Sequence, residues 1–185
     1  MKNILIGGMG NVLLGDDAFG PYVVHLLETQ FRFEEGVQVE DLGTPALDLT
    51  HRIAEQYAVI LIDCISIDEY PAGTVLAYDR ADLLSAIPAQ RLDPHSPAVS
   101  ECLLAAEMLG KSPENVLLVG VVGECFDPGE PLSEAVRGAV DKVIGAVLGE
   151  LWRLGVTVDR KASSPDSGEW WAEEMCVPAG ENLVH

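Results

Sequence analysis

Residues 57–63 read YAVILID, six apolar positions in a row and then a carboxylate. A strand with one wet face alternates apolar and polar side chains. This run does not, so it fits a strand buried on both faces, as in a parallel sheet covered by helices. It ends on Asp63.

The flanking segments fit that reading. Upstream, residues 3–8 (NILIGG) form a first strand, and residues 18–30 form a helix with Phe19, Val23, Leu26 and Leu27 on one face. Residues 37–42 alternate as a second strand. Thr44 as N-cap and Pro45 at the first helical position then open a helix that carries Leu47, Leu49 and Ile53.

Downstream, residues 73–79 make an edge strand and residues 88–97 a loop. Ser96 and Pro97 repeat the cap-plus-proline start for a helix to Leu109, with Val99, Cys102, Leu103, Ala106 and Leu109 on one side and Gly110 closing it. Residues 115–122 are another apolar strand. A last helix spans residues 132–152, with Val136, Val140, Val143, Val147 and Leu151 at helical spacing. Strands alternating with helices imply βαβ units. The expected fold is α/β, a three-layer sandwich of a mainly parallel sheet with helices on both faces.

With 185 residues, 48% of them hydrophobic, the chain can bury one good core. We expect a single α/β domain over residues 1–153 and an acidic, weakly ordered tail over residues 154–185. Self-docking of the Trp170-Trp171 pair is the simplest role for that tail.

Thirty acidic residues against eleven basic ones give a net charge of −19, which repels a phosphate backbone and an anionic leaflet alike. Nucleic acid and membrane are therefore excluded as partners, whereas a cation or a basic polypeptide fits. The opening MKNILIGG lacks the pattern of a secretory signal, and no apolar run reaches the roughly 18 residues that span a bilayer. A cytoplasmic protein is expected. Cys64, Cys102, Cys125 and Cys176 form no CxxC pair, so reduced thiols are expected, the first three in the core.

Loops that follow parallel strands gather at one edge of the sheet, where such folds bind ligands. Asp16 and Asp17 follow the first strand, Asp41, Gly43 and Thr44 end the second, and Asp63 ends the third. His95 lies on a later loop between Pro94 and Pro97. Each has a structural reading beside the functional one. Asp17 can cap a helix, Asp63 can cap a loop, and His95 can be a surface residue. Two adjacent aspartates are harder to explain, because a cation or a shared proton usually offsets their repulsion. A helix start after His95 favours its neutral, metal-binding form, and Asp93 can orient the ring. Two carboxylates and an imidazole make an incomplete site for a borderline divalent ion such as nickel or zinc. His25, His51 and His185 read as helix-face or terminal residues.

These residues resemble the hydrogenase maturation endopeptidases, which process the large subunit of nickel-iron hydrogenases. GMGNVLLGDDAFGP is similar to the signature G-x-G-N-x-L-x-x-D-[DE]-x-x-G of that family. DLGTPALDL resembles its D-x-G-T segment, VILIDCI its strand ending in Asp, and DPHSP its histidine loop. The order and spacing of all four blocks fit, from residue 3 to about residue 152.

The resemblance implies that Asp17, Asp63 and His95 contact the metal and carry catalysis, and that Asp41, Gly43 and Thr44 bind substrate. It implies nickel brought by the substrate, with zinc or cadmium able to take its place in a crystal. The implied partner is a hydrogenase large-subunit precursor, cut once near its C-terminus, beyond a His or Arg, after nickel insertion. Asp17 would then meet the nickel, while Asp16 caps the helix or shapes the loop. Either a carboxylate, Asp17 or Asp63, or the metal would activate water.

Two rival readings use the same residues. A nucleotide-binding module built on GGMGN would need a third glycine where Leu13 stands, and two acids in the loop would repel a pyrophosphate. A non-catalytic metal-handling or assembly factor for hydrogenase would use the same three ligands.

Overall fold

The structure, a computed structural model, describes residues 2–85 and 99–162 together with Gly168 and Trp171, and for Leu47 the backbone alone. In chain order, β1 (Ile4–Met9) leads through a 3-10 turn, Gly15–Ala18, into α1 (Phe19–Gln30). Then follow β2 (Phe31–Phe33), β3 (Val37–Gly43), α2 (Leu49–Ile53), β4 (Ala58–Ile65), β5 (Val75–Asp79) and α3 (Arg80–Ser85). The last described elements are α4 (Val99–Met108), β6 (Asn115–Val122), α5 (Glu134–Arg137), α6 (Val140–Arg153) and β7 (Val158–Arg160).

Five strands form one sheet in the order β3-β1-β4-β6-β5. Neighbours are parallel except at the edge, where β5 runs antiparallel to β6. Ile4, Ile6, Ile60 and Ile62 pack with Phe19, Val23 and Leu27 of α1 and with Val143 and Val147 of α6. Leu5, Val59 and Leu61 point the other way, to Ile53 of α2 and to Leu103 and Ala106 of α4. Both faces of the central strands are therefore covered, which is why residues 57–62 show no polar alternation. The expected three-layer α/β fold is the one observed.

The connections also make a crevice. From β1 the chain moves outward to β3 on one side, then returns to β4 on the other side of β1. Loops leaving the carboxyl ends of β1 and β4 consequently diverge, and ligands of such sheets bind in the gap.

Two glycines set the roof of that gap. A methyl group at Gly8 would collide with the Gly20 carbonyl, and one at Gly20 would collide with the Met9 carbonyl and lie 2.7 Å from the Ile62 oxygen. Bare Cα atoms let the first turn of α1 rest directly on the ends of β1 and β4. The Gly15–Ala18 turn is thereby held over the crevice.

Several expectations change in detail. Thr44 does not cap the next helix. Ala46 has φ +45°, outside helical space, so the chain makes a 3-10 turn at Ala46–Asp48 before α2 begins at Leu49. β4 continues past Asp63 to Ile65, because β6 offers partners for the extra residues in the pairs Asp63↔Gly120, Cys64↔Val121 and Ile65↔Val122.

The long last helix is broken into α5 and α6 around Gly138, a poor helix former, with Ala139 N–H turning back to the Val136 carbonyl at 3.0 Å. Leu109 is 61% exposed rather than core, since α4 stops at Met108 and Gly110 (φ +68°) turns the chain away. Beyond Gly155 the pattern does not stop at once. Val158–Arg160 pair antiparallel with Phe31–Phe33 of β2. Trp171 is buried, its ring edge-on to Tyr22 with centroids 5.7 Å apart, so this tryptophan docks on the body of its own chain. The expected loop at 88–97, the Ser96 helix start, Trp170 and Cys176 lie outside the described residues. Among the described residues no helix is long and apolar enough to cross a membrane.

Candidate active site

Asp16 and Asp17, adjacent in sequence, have separate tasks. Asp16 is fully buried. Its Oδ2 accepts the N–H groups of Glu124 at 2.9 Å and Cys125 at 3.0 Å, and its Oδ1 accepts the Ser133 N–H at 2.6 Å. Its own N–H donates to the Cys125 carbonyl at 2.7 Å. A buried carboxylate needs such donors, and here they come from the loop after β6 and from the residue that caps α5. Asp16 thus shapes a loop, as the sequence reading allows, and the loop it shapes lies over a hundred residues away.

Asp17 is only half-buried and does not cap α1, whose N-cap position is Ala18 with no side-chain bond. The capping role that its sequence position suggests is therefore not the one it has. Its Oδ2 accepts the Asn11 N–H at 2.8 Å, which closes the loop between β1 and the 3-10 turn. Gly10, at φ +133°, allows this closure, since a methyl group there would collide with the Asp17 carbonyl.

Asp63 is the one residue of β4 that is not buried. It sits one step past the last β1–β4 pair, Gly8↔Ile62, at the edge of the crevice. Next to it, the buried Cys64 thiol reports how the acids are gathered. Burial, and then the charges of Asp16, Asp63 and Asp17, push its pKa far above the usual thiol range. The arrangement is geometric as well, since the Gly15–Ala18 turn that carries Asp16 and Asp17 packs against β4, the strand that carries Asp63 and Cys64. The crevice brings together acids that the sequence places 46 positions apart, Asp17 and Asp63.

The third strand end belongs to the same pole. Asp41 Oδ1 accepts the Gly43 N–H at 2.8 Å, Gly43 takes φ +57°, and its carbonyl accepts the Gly10 N–H at 2.8 Å. Asp41 and Gly43 hence form a turn tied to the Asp17 loop, and Thr44 is exposed beside it. His95 and Asp93 lie outside the described residues. Among the described residues no group of three His, Cys, Asp or Glu side chains is arranged to hold a metal ion.

Sequence reasoning missed the segment after β6. Gly123 backs onto the site, as a methyl group there would lie 2.6 Å from Cys64 Sγ and 2.7 Å from the tip of the Phe126 ring. Cys125, expected in the core, is half-buried on this loop. The available signal was a Gly-, Pro- and acid-rich stretch, GECFDPGEP, following a buried strand.

Carboxylates from two strand ends at the switch point of a doubly covered, mainly parallel sheet define an α/β protein with an acidic pole. Comparison with known proteins gives the family. Residues 21–150 match the family model described as hydrogenase maturation protease. The chain belongs to the hydrogenase maturation protease family and is a peptidase of that family.

It is 29% identical over 153 residues to the hydrogenase 2 maturation protease of Escherichia coli (strain K12), covering 83% of this chain and 93% of the relative. It is 32% identical over 155 residues to the hydrogenase expression/formation protein HupM of Azotobacter chroococcum, covering 83% of this chain and 74% of that one. The solved structure of the hydrogenase maturating endopeptidase HybD from E. coli superposes with a TM-score of 0.80 at 28% identity, covering 88% of this chain and 99% of the other.

Proposed function

We propose that this chain removes a short C-terminal peptide from the nickel-loaded precursor of a nickel-iron hydrogenase large subunit, with the bound nickel as recognition element. The observation that carries the reading is that the turn bearing Asp17 packs against β4, the strand bearing Asp63, at the switch-point crevice.

Nickel is part of the substrate, held by the thiolates of the precursor. Asp17 and Asp63 offer oxygen donors from two walls of the crevice, and His95 is the third ligand in this reading. Two carboxylates suit a metal that arrives with most of its coordination already filled. Gripping it places the adjoining peptide beside the acids. Asp63 or Asp17 then accepts a proton from the attacking water and returns it to the leaving amine, unless the metal itself polarises that water. Asp41, Gly43 and Thr44, at the rim, contact the precursor. The reaction takes place in the cytoplasm.

The test is Asp17→Asn and Asp63→Asn on loaded precursor under single-turnover conditions. General acid-base groups contribute about 10²- to 10⁴-fold, so each variant is expected to slow peptide release by at least about a hundredfold. Wild-type release rates in both variants would refute the assignment.

A further inference from the structure

We infer that Trp171 is a positioning residue for peptide cleavage: it braces the start of α1 from outside, and through that turn it fixes where the Asp17 carboxylate stands. The inference rests on the proposed peptide-cleaving site and deepens it.

The start of α1 has little of its own to hold it. Ala18 occupies the N-cap position and makes no side-chain bond. A helix start without a capping side chain depends on packing to stay in place. On its inner side that packing comes from the strand ends, where the bare Cα atoms of Gly8 and Gly20 bring the helix backbone against β1 and β4.

Trp171 supplies the outer side. It is 4% exposed and belongs to the same core cluster as Ala18, Phe19 and Tyr22. Its ring stands at 84° to that of Tyr22 with centroids 5.7 Å apart, the edge-to-face geometry that aromatic pairs favour. Tyr22 borders a groove of about 320 Å³ between α1 and the helices α5 and α6, lined also by Leu26, Arg137 and Val140. Removing the indole takes away the contact that keeps this flank of α1 from shifting outward.

From Tyr22 to the acid the connection is short. Gly20, two residues earlier, rests on the Met9 and Ile62 carbonyls, and the Gly15–Ala18 turn before it packs on β4. Within that turn the Asp17 N–H donates to the Leu14 carbonyl at 3.0 Å, and the Asp17 carboxylate accepts the Asn11 N–H at 2.8 Å. An outward shift of α1 therefore draws Asp17 away from Asn11 and from β4. A displacement of about 1 Å at a reacting group can cost about a hundredfold in rate. Trp171 lies downstream of the stretch 21–150 that matches the family model, so the brace comes from outside the matched region.

The test uses the full chain and the nickel-loaded large-subunit precursor. Trp171→Ala is expected to lower kcat about tenfold or more while KM stays within about twofold. Trp171→Phe should restore most of the rate, because a phenyl ring can still meet Tyr22 edge-on. Leu154→Ala is the control for lost stability alone. Leu154 is a buried side chain at the amino end of β1, where its carbonyl accepts the Lys2 Nζ at 2.9 Å. That variant should melt at least as early as Trp171→Ala yet keep kcat within about twofold, both being assayed well below their melting temperatures. Hydrogen exchange gives a readout independent of cleavage. The Asn11 and Asp17 amides should exchange about tenfold faster in Trp171→Ala and at the wild-type rate in Leu154→Ala, since loop amides open locally. Wild-type kcat in Trp171→Ala, an equal loss in Leu154→Ala, or unchanged exchange at Asn11 and Asp17 overturns the inference. If the wild type does not cut loaded precursor, the endopeptidase reading fails and the brace is judged by exchange alone. Faster exchange at the two amides then supports it, and equal rates overturn it.

Discussion

The Asp16 carboxylate and the Ser133 backbone, 117 positions apart, are joined by a 2.6 Å hydrogen bond, one of three N–H bonds that this buried side chain accepts. Asp16→Ala would leave those donors without a partner in a site closed to water. We expect a loss of about 3 kcal/mol, a fall in melting temperature of roughly 9 °C for a chain of this size. Asp16→Asn should lose nearly as much, because its amide nitrogen cannot accept. A melting temperature within 2 °C of wild type in Asp16→Ala would show that the lock carries no stability.

Gly20→Ala places a methyl group against the Met9 carbonyl and 2.7 Å from the Ile62 oxygen, both backbone atoms that cannot rotate away. Overpacking of this kind costs about 1 to 3 kcal/mol, and here it also lifts the Asp17 turn from the crevice. Thermal unfolding and single-turnover cleavage should both suffer. Wild-type values in both would contradict the close approach of α1 to β1 and β4.

Cys64 and Cys125 lie on the same pole but differ in burial. Only the thiolate is nucleophilic, and burial together with the charges of Asp16, Asp63 and Asp17 keeps Cys64 protonated far beyond neutral pH. Cys125 is half-buried. Iodoacetamide at pH 8 followed by peptide mass mapping should label Cys125 in the native chain and leave Cys64 unmodified until the protein is unfolded. Early labelling of Cys64 would refute its burial on β4.

What the sequence makes legible is local. Residues 57–62 announce a doubly buried strand because each position is apolar, and Asp63 stands out because a carboxylate interrupts that run. Helix faces such as Val136, Val143, Val147 and Leu151 follow from spacing, and all four are buried. The parts that escape are set by distant partners. The length of β4 depends on what β6 offers it, and β7 exists because β2 lies beside it. The buried acid of the Asp16-Asp17 pair is identifiable only once the loop around Glu124 and Cys125 is folded against it. Thr44 shows a cap motif overruled by one left-handed residue, Ala46.

We propose that this chain cuts a metal-loaded precursor at the Asp17–Asp63 crevice. The most direct measurement is intact mass spectrometry of the large-subunit precursor after incubation with this protein, once with nickel inserted and once without. Loss of one short C-terminal peptide is expected from the loaded precursor and none from the unloaded form. An unchanged mass for the loaded precursor, with the two proteins stably bound, would contradict it.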